Sequence, residues 1–328
     1  MSAPRIAVIG CGYMGSLHAA KVAALAAEGV VRFAGAADLD LARAEQAAAP
    51  HGAPATVNHR ELLAHADAAV IAVPTVRHFA IVSEALDAGL DVLVEKPIAA
   101  SLPEAEKLLG LARERGRVIQ VGHLEWFNAA VQKVRSSIHG TRFVEAHRMG
   151  PFPGRATDVD VVRDLMIHDL AIVQRFLGEE PERMDAIGVP VLSSEIDIAN
   201  ARLHYPGGCQ ANFTASRVSP TPTRKVRFFQ PDGYFSIDFI AQSVVIARRV
   251  RDPESGERKI DLQTLEIDRG DALLSQLRSF CTAIRTREVP AGAGEEALAA
   301  LRTALRVVAA MPPLALPDDD GSADRAPR

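Results

Sequence analysis

The stretch Arg5-Ile6-Ala7-Val8-Ile9-Gly10-Cys11-Gly12-Tyr13-Met14-Gly15 decides the fold. An apolar strand runs into glycines spaced G-x-G-x-x-G, and an alanine-rich segment of helical periodicity follows over 13–28. Gly10 permits the tight turn out of the strand, Gly12 lets the backbone approach a pyrophosphate, and Gly15 allows the helix to sit close on the strand. The unpaired N–H groups at the start of that helix then face the phosphates. Such a motif is weak alone. Here the strand precedes it and the helix follows it, which implies a dinucleotide cofactor.

Outward from this stretch, strand patterns recur at 5–9, 32–37, 55–57, 68–73, 91–95 and 117–122, with helical patterns at 13–28, 40–49, 59–65, 77–88 and 102–115. Ser101-Leu102-Pro103-Glu104 is a capping box, and Gly89 and Gly116 sit where helices should stop. The alternation predicts a doubly wound parallel sheet with its ligand at the carboxyl ends of the strands. After residue 122 the pattern changes. A helix at 126–138 leads to a strand at 142–149, a Pro- and Gly-broken loop at 150–157 and a strongly apolar helix at 159–177. Period-two alternation around Pro206-Gly207-Gly208 and Pro231-Asp232-Gly233 predicts hairpins over 197–215 and 224–240, and helices at 271–286 and 294–310 close the chain. The expected class is α/β, with domains over 1–122 and 123–316 and a disordered tail over 317–328.

The 328 residues suffice for about two domains. A net charge of −4 with scattered Lys and Arg argues against nucleic acid as a partner, and the absence of a long apolar run argues against a membrane. Cys11, Cys209 and Cys281 fit no zinc spacing and suit a reducing compartment, so no metal is expected. Cys11 reads as a small residue filling the glycine turn rather than as an oxidation-sensitive thiol. The strand follows Met1-Ser2-Ala3-Pro4 directly, without room for a signal peptide, and the expected location is the cytoplasm.

Three places carry the chemistry. Asp38 ends the second strand at the spacing where an acid bonds the adenosine ribose hydroxyls and repels a 2′-phosphate, favouring NAD over NADP. It also reads as the N-cap of the helix at 40–49, and the two roles are compatible. Lys96 stands at the carboxyl end of a central strand, where ligands bind; the plainer alternative is a solvated strand-end lysine. Asp164 and His168, four apart on an apolar helix, share one face, roughly 5–6 Å between Cβ atoms. They need either a partner or a catalytic use. Oxidising an alcohol requires a base for the hydroxyl proton, and histidine suits that near neutral pH. His168 is taken as the base, Lys96 as donor to the developing alkoxide and Asp164 as orienter, although sequence leaves Lys96 and His168 both open as proton acceptor.

The glycine fingerprint, Pro74-Thr75-Val76-Arg77-His78, Glu95-Lys96-Pro97, Gly122-His123 and Asp164-Leu165-Met166-Ile167-His168-Asp169 together resemble the glucose–fructose oxidoreductase/inositol dehydrogenase family over nearly the whole chain. The resemblance implies a Rossmann domain followed by an α/β domain with a large, mainly antiparallel open-faced sheet. It also implies NAD(P)-dependent redox chemistry at a hydroxyl carbon of a sugar or cyclitol. Carried over by motif, Gly10, Gly12, Tyr13, Met14, Gly15, Asp38, Pro74, Thr75, His78, Glu95, Lys96 and Pro97 would hold the cofactor. Lys96, Asp164 and His168 would be catalytic, and Lys96–Pro97 would be cis.

Within the family, the segments 122–128, 145–152, 158–162, 191–202 and 214–217 resemble the UDP-N-acetylglucosamine 3-dehydrogenase subgroup, whose keto product an aminotransferase consumes on the way to a diamino sugar of lipid A. Trp126 departs from it, standing where relatives carry arginine, and is read as a surface for stacking on a sugar or base. Asn128 belongs to the same expected substrate set. Arg148, Arg155 and Arg217 are expected to reach a diphosphate through guanidinium forks, or else are ordinary surface arginines. His123 and His147 read as structural. A free sugar or cyclitol is the second substrate class. A non-catalytic NAD-sensing regulator is a different class, disfavoured by the presence of the lysine and the Asp–His pair. Apolar residues on both sides of 234–240 predict a homodimer or homotetramer through the second sheet.

Overall fold

The apolar runs before residue 122 are buried on both faces, as a parallel sheet covered by helices requires. The computed structural model describes residues 3–152, 159–252, 256–290 and 292–313. Strands β1 (Arg5–Ile9), β2 (Arg32–Ala37), β3 (Ala55–Thr56), β4 (Ala68–Ile71), β5 (Asp91–Val94) and β6 (Ile119–Val121) lie parallel in the order β3-β2-β1-β4-β5-β6. Helices α1 (Tyr13–Ala27), α2 (Leu41–Ala48), α3 (His59–Leu63), α4 (His78–Asp87) and α5 (Leu102–Glu114) connect them. Every residue of β4 and β5 is buried. The order reverses between β1 and β4, so a crevice opens there at the strand ends. This half matches the predicted alternation, with element ends shifted by at most two residues.

Beyond β6 the expected helix at 126–138 is broken. Leu124–Phe127 is a tight turn, Asn128 takes an extended conformation, and its side chain accepts from Ala130 N at 2.9 Å to start α6 (Ala129–Val134). The helix expected from 159 begins as α7 only at Ile167 (Ile167–Leu177), because Val162–Met166 forms a π turn. The second sheet comprises β7 (Phe143–Met149), β8 (Arg183–Val189), β9 (Ile198–His204), β10 (Gln210–Ser216), β11 (Thr223–Gln230), β12 (Gly233–Asp238), β13 (Ser243–Arg251) and β14 (Arg258–Glu266). Their order is β14-β13-β12-β11-β7-β10-β9-β8, antiparallel except for β7 beside β10.

One face of this sheet is core. Ala146, Phe213, Phe228, Phe235 and Ile237 are buried there, and Phe176 of α7 meets Phe228 at 4.7 Å between ring centroids. The other face is mixed, which corrects the reading of 234–240: Phe235 and Ile237 turn inward, leaving Ser236 and Asp238 beside Tyr234. Phe143, Phe229 and Tyr234 make one aromatic row, with centroids 5.6 and 5.5 Å apart, next to the Glu145–Arg227 ion pair at 3.2 Å.

The last helices, α8 (Ala272–Thr286) and α9 (Gly294–Ala309), do not stay with the second sheet. Leu277, Phe280, Cys281 and Ile284 of α8 join the core formed by Ile6, Val8, Val22 and Leu25. Ion pairs Lys21–Asp271 at 2.7 Å and Glu28–Arg278 at 2.6 Å fix α8 beside α1. Helix α9 packs on both α5 and α7. Within the second unit expected over 123–316, α8 thus packs on the first sheet's core and α9 bridges to α5. The tail expected over 317–328 lies outside the described residues.

Asp197 ties the approach to the π turn. It is wholly buried and accepts from the N–H groups of Val191, Leu192 and Ser193 at 2.8, 2.6 and 2.9 Å, from the Ser193 hydroxyl at 2.8 Å and from Arg217 Nε at 2.7 Å. Arg217 also donates to the Val159 carbonyl at 2.7 Å. Burial alone would raise the Asp197 carboxyl, but these donors hold it well below the ordinary carboxylate range. Asp197→Asn is expected to destabilise the fold by about 3–5 kcal/mol at neutral pH. Because the folded-state value is lowered, this stabilisation is complete above the ordinary value of 3.8 and fades as pH falls below it, so the gap between the two proteins narrows in acid. Urea denaturation across pH measures both effects; equal midpoints at neutral pH would refute the assignment.

Candidate active site

A cleft of about 850 Å³ opens at the carboxyl ends of β1, β2, β4 and β5. Of the residues expected to hold a cofactor, Gly10, Gly12, Met14, Asp38, Pro74, Glu95 and Lys96 line it. The glycines divide by role. Gly10 has φ +86° and a Cβ there would lie 2.6 Å from the Ala72 carbonyl oxygen; at Gly15 it would lie 1.7 Å from the Gly10 carbonyl oxygen. A Cβ at Gly12 would meet nothing within 4 Å among the described residues, so the turn is tight beneath and open above, as a pyrophosphate requires. Tyr13, 70% exposed, begins α1 without a side-chain cap before it.

Three expected contacts act from underneath or alongside. His78 is buried, its Nδ1 2.8 Å from the Pro97 carbonyl oxygen and its Nε2 2.9 Å from that of Val73. It clamps the loop carrying Pro74 to the Lys96–Pro97 peptide, which is cis as the resemblance implies. Thr75 opens the 3-10 turn Thr75–Arg77, and neither it nor Pro97 lines the cleft.

Asp38 accepts from Cys11 N at 2.7 Å and from Asp40 N at 2.9 Å. The helix cap is Asp40, whose side chain accepts from Ala42 N at 3.1 Å, so Asp38 is left to the cleft. Burial and the Asp38 charge push the Cys11 thiol up to about 11, so it is no thiolate at neutral pH.

Beside the cleft, Lys96 Nζ donates to Asp164 Oδ1 at 3.0 Å and to the Asp164 carbonyl at 2.9 Å. Asp164 belongs to the π turn and His168 to α7, and the two side chains take different partners rather than forming a pair. His168 Nδ1 lies 3.0 Å from Glu125 Oε2. Glu125 Oε1 lies 2.8 Å from Arg148, whose guanidinium grips Asp169 at 2.8 and 3.1 Å. Glu95, next to Lys96, is held by His18 at 2.8 Å, and a Cβ at Gly122 would lie 2.7 Å from its Oε2. Burial raises the Glu95 carboxyl, yet His18 and Lys96 leave it below its usual value.

His123 meets His168 edge-on, with centroids 6.4 Å apart, and both its ring nitrogens are buried without a hydrogen-bond partner among the described residues. Burial, then the charges of His168 and Lys96, bring it to about 4 against the pull of Glu125 and Glu95; it is neutral at neutral pH. Sequence reading missed His18, Glu125 and Asp169. Asp169, adjacent to His168, and Glu125, within 122–128, stood in segments already noted, whereas His18 did not.

The remaining expected substrate contacts have other occupations. Trp126 is stacked beneath Arg175 at 4.0 Å and against Phe176 at 5.5 Å. Asn128 caps α6. Arg148 and Arg217, buried and paired with carboxylates, present no fork to a diphosphate. Arg155 lies outside the described residues.

Residues 4–123 match the model of an oxidoreductase family with an NAD-binding Rossmann fold, and residues 129–236 match the C-terminal domain of the GFO/IDH/MocA proteins. The chain belongs to this family. It is 36% identical over 281 residues to the UDP-N-acetylglucosamine 3-dehydrogenase of Acidithiobacillus ferrooxidans, covering 85% of this chain and 88% of that one. A solved structure of that relative superposes with a TM-score of 0.87 at 34% identity, over 95% of this chain and 98% of that one. A myo-inositol dehydrogenase of Streptomyces leeuwenhoekii is 31% identical over 208 residues, 58% of this chain and 61% of the relative. The chain is an NAD-binding oxidoreductase. Asp38→Ser is expected to weaken NAD binding and narrow the preference over NADP, as read by fluorescence titration with both cofactors. Tighter NADP binding by the unaltered protein would overturn the role of Asp38.

Proposed function

We propose that this protein oxidises the 3-hydroxyl of UDP-N-acetylglucosamine to the 3-keto sugar nucleotide. The observation carrying this reading is Lys96, held by Asp164 at the lip of the cofactor cleft, in a chain 36% identical to a named 3-dehydrogenase of that substrate.

Bound NAD would supply the acceptor for the hydride leaving the carbinol carbon. The chain's own part is the proton and the charge. His168 takes the hydroxyl proton, so the oxygen's electron pair forms the carbonyl as the C–H pair departs. Lys96 Nζ donates to that oxygen while it carries negative charge, and the two acceptors on Asp164 aim the ammonium. Glu95, braced by His18, fixes the strand end from which Lys96 projects.

One observation favours a second substrate class. Arg148 and Arg217 are occupied by Glu125, Asp169 and Asp197, as a free sugar or cyclitol without a diphosphate would allow. In the first reading the keto product would pass to an aminotransferase in the cytoplasm. The mixed outer face of the second sheet, with its aromatic row, would join copies of the chain as a dimer or tetramer.

Ketone formation with NAD is unfavourable at neutral pH, so the test couples the protein to an aminotransferase and amino donor and identifies the product by mass spectrometry and NMR. A 3-amino sugar nucleotide is the expected product; turnover of myo-inositol with the UDP-sugar inert would move the assignment to the second class. Lys96→Ala and His168→Ala are each expected to lower turnover by about 10²–10⁴-fold. NAD binding should stay intact in His168→Ala, which lies outside the cofactor cleft, and full turnover by both variants would place the chemistry elsewhere. Light scattering at micromolar concentration should give a multiple of the monomer mass; a strictly monomeric mass would refute assembly through the sheet.

A further inference from the structure

The histidine assigned as base has two ring nitrogens, and only one of them can carry the proton while the other accepts. What decides between them is the group that faces Nδ1. Glu125 Oε2 lies 3.0 Å from that nitrogen. The other oxygen, Oε1, is engaged 2.8 Å away by Arg148, which is buried, and Arg148 is fixed in turn by the two oxygens of Asp169. Glu125 sits in the turn after β6, Arg148 on β7, and His168 with Asp169 on α7, so three separate elements converge on one carboxylate.

Burial alone would raise the Glu125 carboxyl, but His168 and Arg148 hold it well below its usual value. An ionised carboxylate only accepts hydrogen bonds. The nitrogen facing it must therefore be the donor.

We infer that Glu125 is a positioning residue, which keeps the imidazole proton of His168 on Nδ1 and leaves Nε2 as the nitrogen that takes the substrate proton. Asp169 and Arg148 act one step further back, holding the carboxylate in place. Asp169, Arg148 and Glu125 together carry one net negative charge, set against the ring that becomes cationic when the proton arrives. This is the orienting and charge-stabilising part that a buried carboxylate plays behind a catalytic histidine in hydrolases. The inference rests on the proposed role of His168 as base.

Replacing Glu125 by glutamine keeps the size and reverses the logic. Arg148 claims the amide oxygen, the amide NH₂ turns to Nδ1, and the ring proton is driven to Nε2, where the base should be. In Glu125→Gln, kcat for UDP-N-acetylglucosamine with NAD is expected to fall by about 10²–10⁴-fold. KM and NAD affinity should hold, and Glu125→Asp, which keeps the acceptor, should recover part of the rate.

Long-range ¹H–¹⁵N spectra of histidine-labelled protein read the tautomer directly, with the ring assigned from the signals lost in His168→Asn. The wild type should show the neutral ring protonated on Nδ1, and Glu125→Gln should show it on Nε2. A wild-type ring protonated on Nε2, or a folded Glu125→Gln with unchanged kcat, would overturn the inference. The wild-type spectrum needs no variant to fold. If the wild type turns over neither UDP-N-acetylglucosamine nor myo-inositol, the functional proposal falls, while the spectrum still decides what Glu125 does to His168.

Discussion

A half-buried ammonium must find its negative partner wherever the fold can bring one. Lys96 lies just past the end of β5 of the first sheet, and its partner Asp164 comes from a π turn 68 residues later, leading into a helix over the second sheet. That contact is a direct link between the cofactor half and the half carrying His168. The surrounding structure serves its geometry from both sides. His18 on α1 braces Glu95 next to the lysine. The knot of Asp197, Arg217 and the Val159 carbonyl holds the chain just before the π turn. A π turn at a site of this kind changes the helical phase, so neighbouring polar side chains can address different partners.

The first sheet was legible because its central strands are covered on both faces and read as continuous apolar runs, with Gly10 closing the first and Gly89 and Gly116 stopping the helices between later ones. Strands β8, β13 and β14 carried no such signal. Most of β14 is exposed, with Ile260 and Leu262 in the open, and most of β8 alternates around polar residues. Periodicity placed an apolar helix over 159–177, but it does not register the extra residue of a π turn, because apolar side chains on both sides of that turn are still buried. Asp164 and His168, expected on one helix face, take different partners across that turn.

The misread arginines have a different cause. A guanidinium at a strand end looks like a ligand fork until the carboxylates of its own chain are counted. Asp197 and Asp169 both lay within motifs already noted, but nothing local joins Asp197 to Arg217 across two strands, or Asp169 to Arg148 from a helix to a strand. Glu125 is harder still, because it stands 43 residues from the histidine it touches. Buried ion pairs of this sort add little net stability once desolvation is counted, but they hold a ring or a loop in one orientation. Tertiary proximity made these residues functional or structural, and tertiary proximity is what a pattern of residue types does not encode.

The return of α8 to the first sheet bears on how the protein comes into being. The face made by Ile6, Val8, Val22 and Leu25 is finished only by Leu277, Phe280, Cys281 and Ile284. During synthesis the earliest strands emerge long before the helix that covers them, so one apolar face of the nucleotide-binding half stays exposed while most of the remaining chain is made. A fragment ending after the first sheet would keep that face bare. In this protein the beginning of the polypeptide acquires part of its final cover from α8, a helix made late in the chain.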